Sequence, residues 1–143
     1  MNETKQGDHP PEYKQVDEME WETLRFPGQT SRMVFHPRPE RPTEPNAGVV
    51  RYEPGAMHPK HRHDFAQVWY ILEGDFKIGG RHYSKGTMIF YPDPHFEEEL
   101  STESGGAILF VQYPGPTTGK APIYQDRFNL KERKPLSEER LDI

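Results

Sequence analysis

The chain has 143 residues, enough for one domain with a single core, and its 15 Pro and 12 Gly would interrupt a helical bundle but suit many short strands and turns. Its net charge of -5 gives nucleic acid or an anionic membrane nothing to attract. Cysteine is absent, which excludes disulfides and thiolate ligands and fits a reducing, cytoplasmic setting; the N-terminus has no secretory apolar region, and no apolar run nears the ~18 residues of a membrane span.

In chain order, residues 1–15 are polar and read as a flexible N-terminal arm, and 131–143 as a polar C-terminal tail, with the folded domain between them at 16–130. Val16 to Phe26 reads as an irregular segment that packs Trp21 against the domain. Ser31–His36 alternates weakly, as a strand does, and Pro37–Gly48 is a proline-rich surface loop, a spacer or a cap over a pocket mouth. Val49–Glu53 is a short strand, followed by a Pro54-Gly55 turn. Ala66–Leu72 is aromatic and β-branched, as a buried strand should be, with a turn expected at Glu73-Gly74-Asp75. Phe76–Ile78, a two-residue turn at Gly79-Gly80, and Arg81–Tyr83 make a hairpin. Thr87–Tyr91, His95–Leu100 and Ala107–Tyr113 complete a series of short strands with turns about every ten residues, the mark of an all-β sandwich or barrel. In the tail, Ile123, Tyr124 and Phe128 need a surface, either the domain's own sheet or a neighbouring subunit. Ser137 can cap a short helix over LSEERLDI.

The stretch from Gly55 to Gly74 carries the chemistry. His61 and His63 are two residues apart, so an extended strand points both to one face, roughly 6.5–7 Å apart along the chain. Two imidazoles so placed can converge on one ion. Taken alone, such a pair also fits two solvated histidines in a polar loop. Gln67 lies four residues beyond His63, and an unbroken strand would bring it to the same face. Phe65, Trp69 and Ile71 share that parity and read as core. His58 is out of phase with the pair and reads as a loop residue; His9, His36 and His82 read as solvated or structural.

These residues resemble the first motif of the cupins, G-x5-H-x-H-x3,4-E-x6-G, through Gly55, His61, His63 and Gly74, with Gln67 where the family has glutamate. The second motif, G-x5-P-x-G-x2-H-x3-N, is matched by Gly86 and Pro92, with Pro94 replacing a glycine. Strict spacing puts the last ligand at Glu97, while the Pro-His pair favours His95. The two share strand parity, so both can face a cavity. The resemblance spans roughly residues 48–113, and the segment beyond it is similar to the end of small cupins related to the sensory domain of the ChrR anti-sigma factor. It implies an all-β fold, a single-domain cupin-type β-barrel or jelly roll with extended terminal segments. It also implies one divalent transition metal, Fe(II) foremost and otherwise Zn, Mn or Ni, held by His61, His63, Gln67 and His95. Glu97, Tyr91 and Trp69 would lie beside it. The lead function is then a dioxygenase-type oxidoreductase acting on a small anionic or enolisable organic molecule, since a Gln in place of Glu leaves a 2+ ion its full charge. A non-catalytic metal-dependent binding or sensor module is the alternative, as is an isomerase or lyase using the metal as a Lewis acid. A homodimer is expected, because single small cupin barrels often pair.

Overall fold

Residues 66–78 form the longest strand and the axis of the fold. The computed structural model describes residues 8–38, 40–41 and 43–113, and beyond them only the backbone of three two-residue strands. In order the strands are β1 (Glu22–Thr23), β2 (Gln29–Phe35), β3 (Asn46–Tyr52), β4 (Met57–His58), β5 (His61–His63), β6 (Ala66–Ile78) and β7 (Arg81–Ser84). There follow β8 (Met88–Tyr91), β9 (His95–Glu97), β10 (Leu100–Ser101), β11 (Gly106–Tyr113), β12 (Ile123–Tyr124), β13 (Phe128–Asn129) and β14 (Lys134–Pro135). One 3₁₀ turn, Val16–Glu18, precedes them, and the described residues contain no α-helix.

Two sheets face each other. The larger runs β1-β2-β3-β11-β6-β10-β4, with β7 and β8 also paired to β6; the smaller runs β14-β13-β12-β5-β9. The chain is an all-β barrel of cupin type, curled because β6 changes partners along its length. Its first half pairs with β11 and β8, its second half with β7 and β10. The turn expected at Glu73-Gly74-Asp75 does not occur: the strand continues through it. A register shift between Ala107 and Ile108 marks a bulge there, and it flips the inward parity from Trp69 and Ile71 to Phe76. Gly74 sits at φ +90°, and a Cβ on it would come within 2.1 Å of the Gly105 carbonyl oxygen, so glycine serves a bend rather than a chain reversal.

The core gathers where the sheets face: Ile71, Phe76, Ile108 and Leu100 are almost wholly buried, and Trp69, Tyr91 and Phe110 complete it. Other boundaries moved modestly. The proline-rich loop ends earlier than expected, because Asn46, Ala47 and Gly48 already pair with β11 and β2. Trp21 lies between the guanidinium groups of Arg32 and Arg51, 4.1 and 4.2 Å from its ring, and so covers the outer face of β2 and β3. In the tail, Ile123–Tyr124 pairs with β5 of the domain's own sheet. The expected helix over residues 137–143 and the first seven residues of the arm lie outside the described residues.

Candidate metal centre

The short ladder β5–β9 sets the site. His61 stands opposite Glu97, and His63 opposite His95, so alternation turns all four side chains to one face. That face is the inner one. His61, His95 and Glu97 are each less than a tenth exposed, and the His63 side chain is nearly as covered. The chain then crosses from the smaller sheet to the larger at Asp64-Phe65, so Gln67 does not continue the strand of the histidines. It meets them from the opposite sheet, on β6, almost fully buried.

The donor atoms converge. His61 Nε2 lies 3.1 Å from His63 Nε2 and 3.0 Å from Glu97 Oε1; Glu97 Oε2 lies 3.2 Å from His63 Nε2 and 3.3 Å from His95 Nε2. Ligand atoms of His61, His63 and Glu97 all fall within 4.8 Å of one another. Two of the rings have their tautomer fixed from behind. His61 Nδ1 donates to the Pro59 carbonyl at 2.9 Å and His95 Nδ1 to the Pro92 carbonyl at 2.7 Å. A carbonyl can only accept, so in the neutral ring the lone pair is on Nε2, facing the centre. His63 Nδ1 is buried and has no hydrogen-bond partner among the described residues. His95 is further stacked on Tyr91, with centroids 4.7 Å apart, and Tyr91 in turn packs edge-on against Trp69 at 4.9 Å.

Gln67 is held by a relay of amides on three neighbouring strands. Asn46 Nδ2 donates to Gln112 Oε1 at 2.8 Å, and Gln112 Nε2 donates to Gln67 Oε1 at 3.0 Å. Asn46 and Gln67 are the cross-strand partners of Gln112 on either side. The oxygen of Gln67 is therefore occupied, and its NH2 turns inward, donating to Glu97 Oε2 and lying 3.1 Å from His95 Nε2. A buried amide needs such partners, and here both ends have them.

The electrostatics follow from the crowding. Burial alone would push the Glu97 carboxyl up, but the charges and hydrogen bonds of His61 and His63 outweigh it and hold it well below the usual carboxylate range. Burial opposes a charge on His61, yet Glu97 and the Pro59 carbonyl raise its pKa; at His63 burial prevails and lowers it. Tyr91 and Tyr52 are pushed up, first by burial and then by the charge of Glu97, so both phenols stay protonated.

Sequence reasoning missed one histidine. His58, read as a loop residue, sits on β4 with its ring 4.8 Å from His61 and 4.7 Å from Phe26. Its Nδ1 donates to Gln29 Oε1 at 2.9 Å, and Gln29 spends its own NH2 on the Met57 carbonyl. Burial and the neighbouring His61 lower the pKa of His58 to about 3, so it is neutral. Pro59 and Lys60 separate two strands and reset the parity, which is why His58 could not be phased with the pair. The roles of Gln29, Asn46 and Gln112 left no local pattern, since each depends on cross-strand register. His82 pairs with Asp75 at 2.8 Å on the surface, and Phe90 is exposed.

Imidazole nitrogens and a carboxylate, all buried and aimed at one point, are a donor set that suits a divalent transition ion. Beside the centre is a cavity of about 240 Å³ between the sheets, walled by Leu24, Met33, Val50, Ile108 and Phe110. The described residues of the proline-rich loop do not line it.

Comparison with known proteins agrees with this architecture. Residues 9–115 match the family described as the ChrR cupin-like domain. No curated protein matches the chain in sequence. Among solved structures, an RmlC-like cupin from Shewanella frigidimarina is 22% identical, with 74% of this chain and 93% of that one aligned at a TM-score of 0.61. An acetylacetone dioxygenase from Acinetobacter johnsonii is 12% identical over 96% of this chain and 90% of that one, at a TM-score of 0.67. The polyketide cyclase RemF from Streptomyces resistomycificus is 16% identical over 93% and 92%, at 0.61. At such identities the likeness is one of fold, and these relatives carry different chemistries.

Proposed function

This chain belongs to the ChrR cupin-like domain family of the cupins, and from that premise we propose that it is a metal-dependent cupin that oxidises a small organic molecule in a dioxygenase-type reaction. One observation carries the reading: His61, His63 and Glu97 bring two imidazoles and a carboxylate within 4.8 Å of one another in a buried site. Two histidines and one carboxylate on one side of an ion, with other positions open, is the donor set of non-haem Fe(II) oxygenases. An ion of this kind supplies Lewis acidity and, as Fe(II), electrons for O₂ chemistry.

The chain's own residues do the rest. With a 2+ ion bound, Glu97 would bring the centre to a net +1, so the uncompensated charge expected from Gln at position 67 would be largely met from β9. Gln67 donates its amide hydrogen to Glu97 and keeps that carboxylate oriented, while His95 stands as a fourth donor beside it. Tyr91, stacked on His95, keeps its proton and fixes the ring. The alignment with an acetylacetone dioxygenase supports an enolisable ketone as the first compound to try.

Protein purified without chelator should carry about one equivalent of Fe per chain, counted by elemental analysis, and should consume O₂ when 2,4-pentanedione is added. The family description supports a second reading, a sensor-type binding module. Stoichiometric Zn with no oxygen uptake would favour it over the oxygenase.

A further inference from the structure

We propose that the cavity beside the centre selects an uncharged, mainly apolar molecule with an oxygen-bearing head, and rejects carboxylates. The proposal rests on the reading above only for which end of the molecule meets the centre.

Three observations carry it. First, among the described residues no Lys or Arg lines the cavity. The arginines of β2, β3 and β5 and the neighbouring Lys60 are engaged elsewhere. Arg32 on β2 and Arg51 on β3 are spent on the outer face against Trp21. Arg62 on β5 pairs with Asp64 at 3.2 Å, and Lys60 lies over Phe96 and 3.9 Å from Glu98. A carboxylate buried against these walls, away from the centre, would lose its hydration without a counter-charge.

Second, the two acidic side chains that line the cavity, Glu97 and Glu98, offer an incoming anion no counter-charge. Third, both amides that line the cavity from β2 and β11 are already committed. Gln29 is held by His58 and the Met57 carbonyl, and Gln112 by Asn46 and Gln67. What remains toward β2, β3 and β11 is Ser31, Met33, Val50, Tyr52, Ile108 and Phe110, a wall that is mainly apolar and favours an apolar body over water. At ~30 Å³ per water-sized group, a volume of about 240 Å³ admits roughly eight such groups. That is the size of a short ketone or a phenol.

The test compares two probes of equal heavy-atom count, 2,4-pentanedione and malonate. Binding is read from the fluorescence of Trp69, which lines the cavity, in a Trp21→Phe background, with both metal-free and Fe(II)-loaded protein. The expected result is that metal-free protein binds the diketone at least 10-fold more tightly than malonate. A Met33→Arg variant, checked for folding by circular dichroism, should narrow or reverse that ratio. Should it not fold, Val50→Phe, which fills the cavity without charge, should weaken the diketone and leave malonate unchanged. Malonate binding to metal-free protein as tightly as the diketone overturns the proposal, and so does the absence of binding by either at millimolar concentration. Diketone binding to both forms without oxygen uptake supports the cavity assignment and defeats the oxygenase reading instead, so the two fail separately.

Discussion

The β6–β11 ladder and the β5–β9 ladder are both antiparallel, yet they are built on opposite principles. The first is long and apolar inward: Ile71 meets Ile108 across the strands, and Trp69 meets Phe110. Its stability comes from removing those side chains from water. The second has three residues a side and presents His61, His63, His95 and Glu97 inward. Such a face is costly to bury, and Glu97, within 3.3 Å of all three imidazoles and accepting from Gln67, offsets part of that cost. One ladder holds the barrel closed; the other is held by the barrel and given to chemistry.

Mutations should separate the two. Ile71→Ala removes a fully buried side chain from the long ladder and should cost ~2–5 kcal/mol in denaturant unfolding, with metal affinity little changed in the folded fraction. Glu97→Gln should do the reverse. Metal affinity, from chelator competition, should fall by more than the ~10–100-fold typical of losing a hydrogen-bond partner of a ligand, while the far-ultraviolet spectrum stays that of a barrel. If both variants lose metal and stability together, the division between the ladders is wrong.

Gln112→Leu tests the joint between them, because Gln112 belongs to the long ladder and reaches the centre only through Gln67. It leaves the Gln67 oxygen buried without a donor, which costs ~1–3 kcal/mol, and should weaken metal binding ~10-fold by freeing the amide to rotate. Gln112→Glu, which keeps an acceptor for Asn46 but offers Gln67 no N–H, should not rescue it. Wild-type affinity in Gln112→Leu would show that the relay positions nothing.

A further effect concerns pH. In the unfolded chain His58 takes up a proton near pH 6.5, while in the folded chain it resists until about 3. The unfolded state therefore gains the proton first, and the metal-free protein should lose stability as pH falls through that window. Glu97, whose folded carboxyl is held low, adds to the loss below its unfolded value of 4.5. His61 is raised, so its contribution has the opposite sign: present below 6.5 and lost as pH rises through the raised value. His58→Gln should flatten the decline between pH 6.5 and about 3 in thermal unfolding curves.

The apolar ladder was legible because its signal is local. The aromatic and β-branched run Ala66–Leu72 and the apolar run Ala107–Tyr113 named both strands, and the glycine pair named the Gly79-Gly80 turn. The site was legible as far as the HxH spacing and the shared parity of His95 and Glu97 reach. Beyond that, what mattered was register. Gln67 looked like a continuation of the histidine strand, but two residues, Asp64 and Phe65, carry the chain to the other sheet. Gly74 looked like a turn, because a glycine at positive φ has the same composition in a bend as in a reversal. Asn46, Gln112 and Gln29 carry no pattern along the chain; only the pairing of strands more than 25 residues apart in sequence makes them neighbours.

The most direct test is anomalous diffraction from crystals of the protein loaded with one equivalent of Fe(II) under nitrogen. The account predicts a single ion with His61 Nε2, His63 Nε2 and a carboxylate oxygen of Glu97 at ~2.0–2.3 Å. An ion bound elsewhere, or none at all with the three side chains still converging, would contradict it.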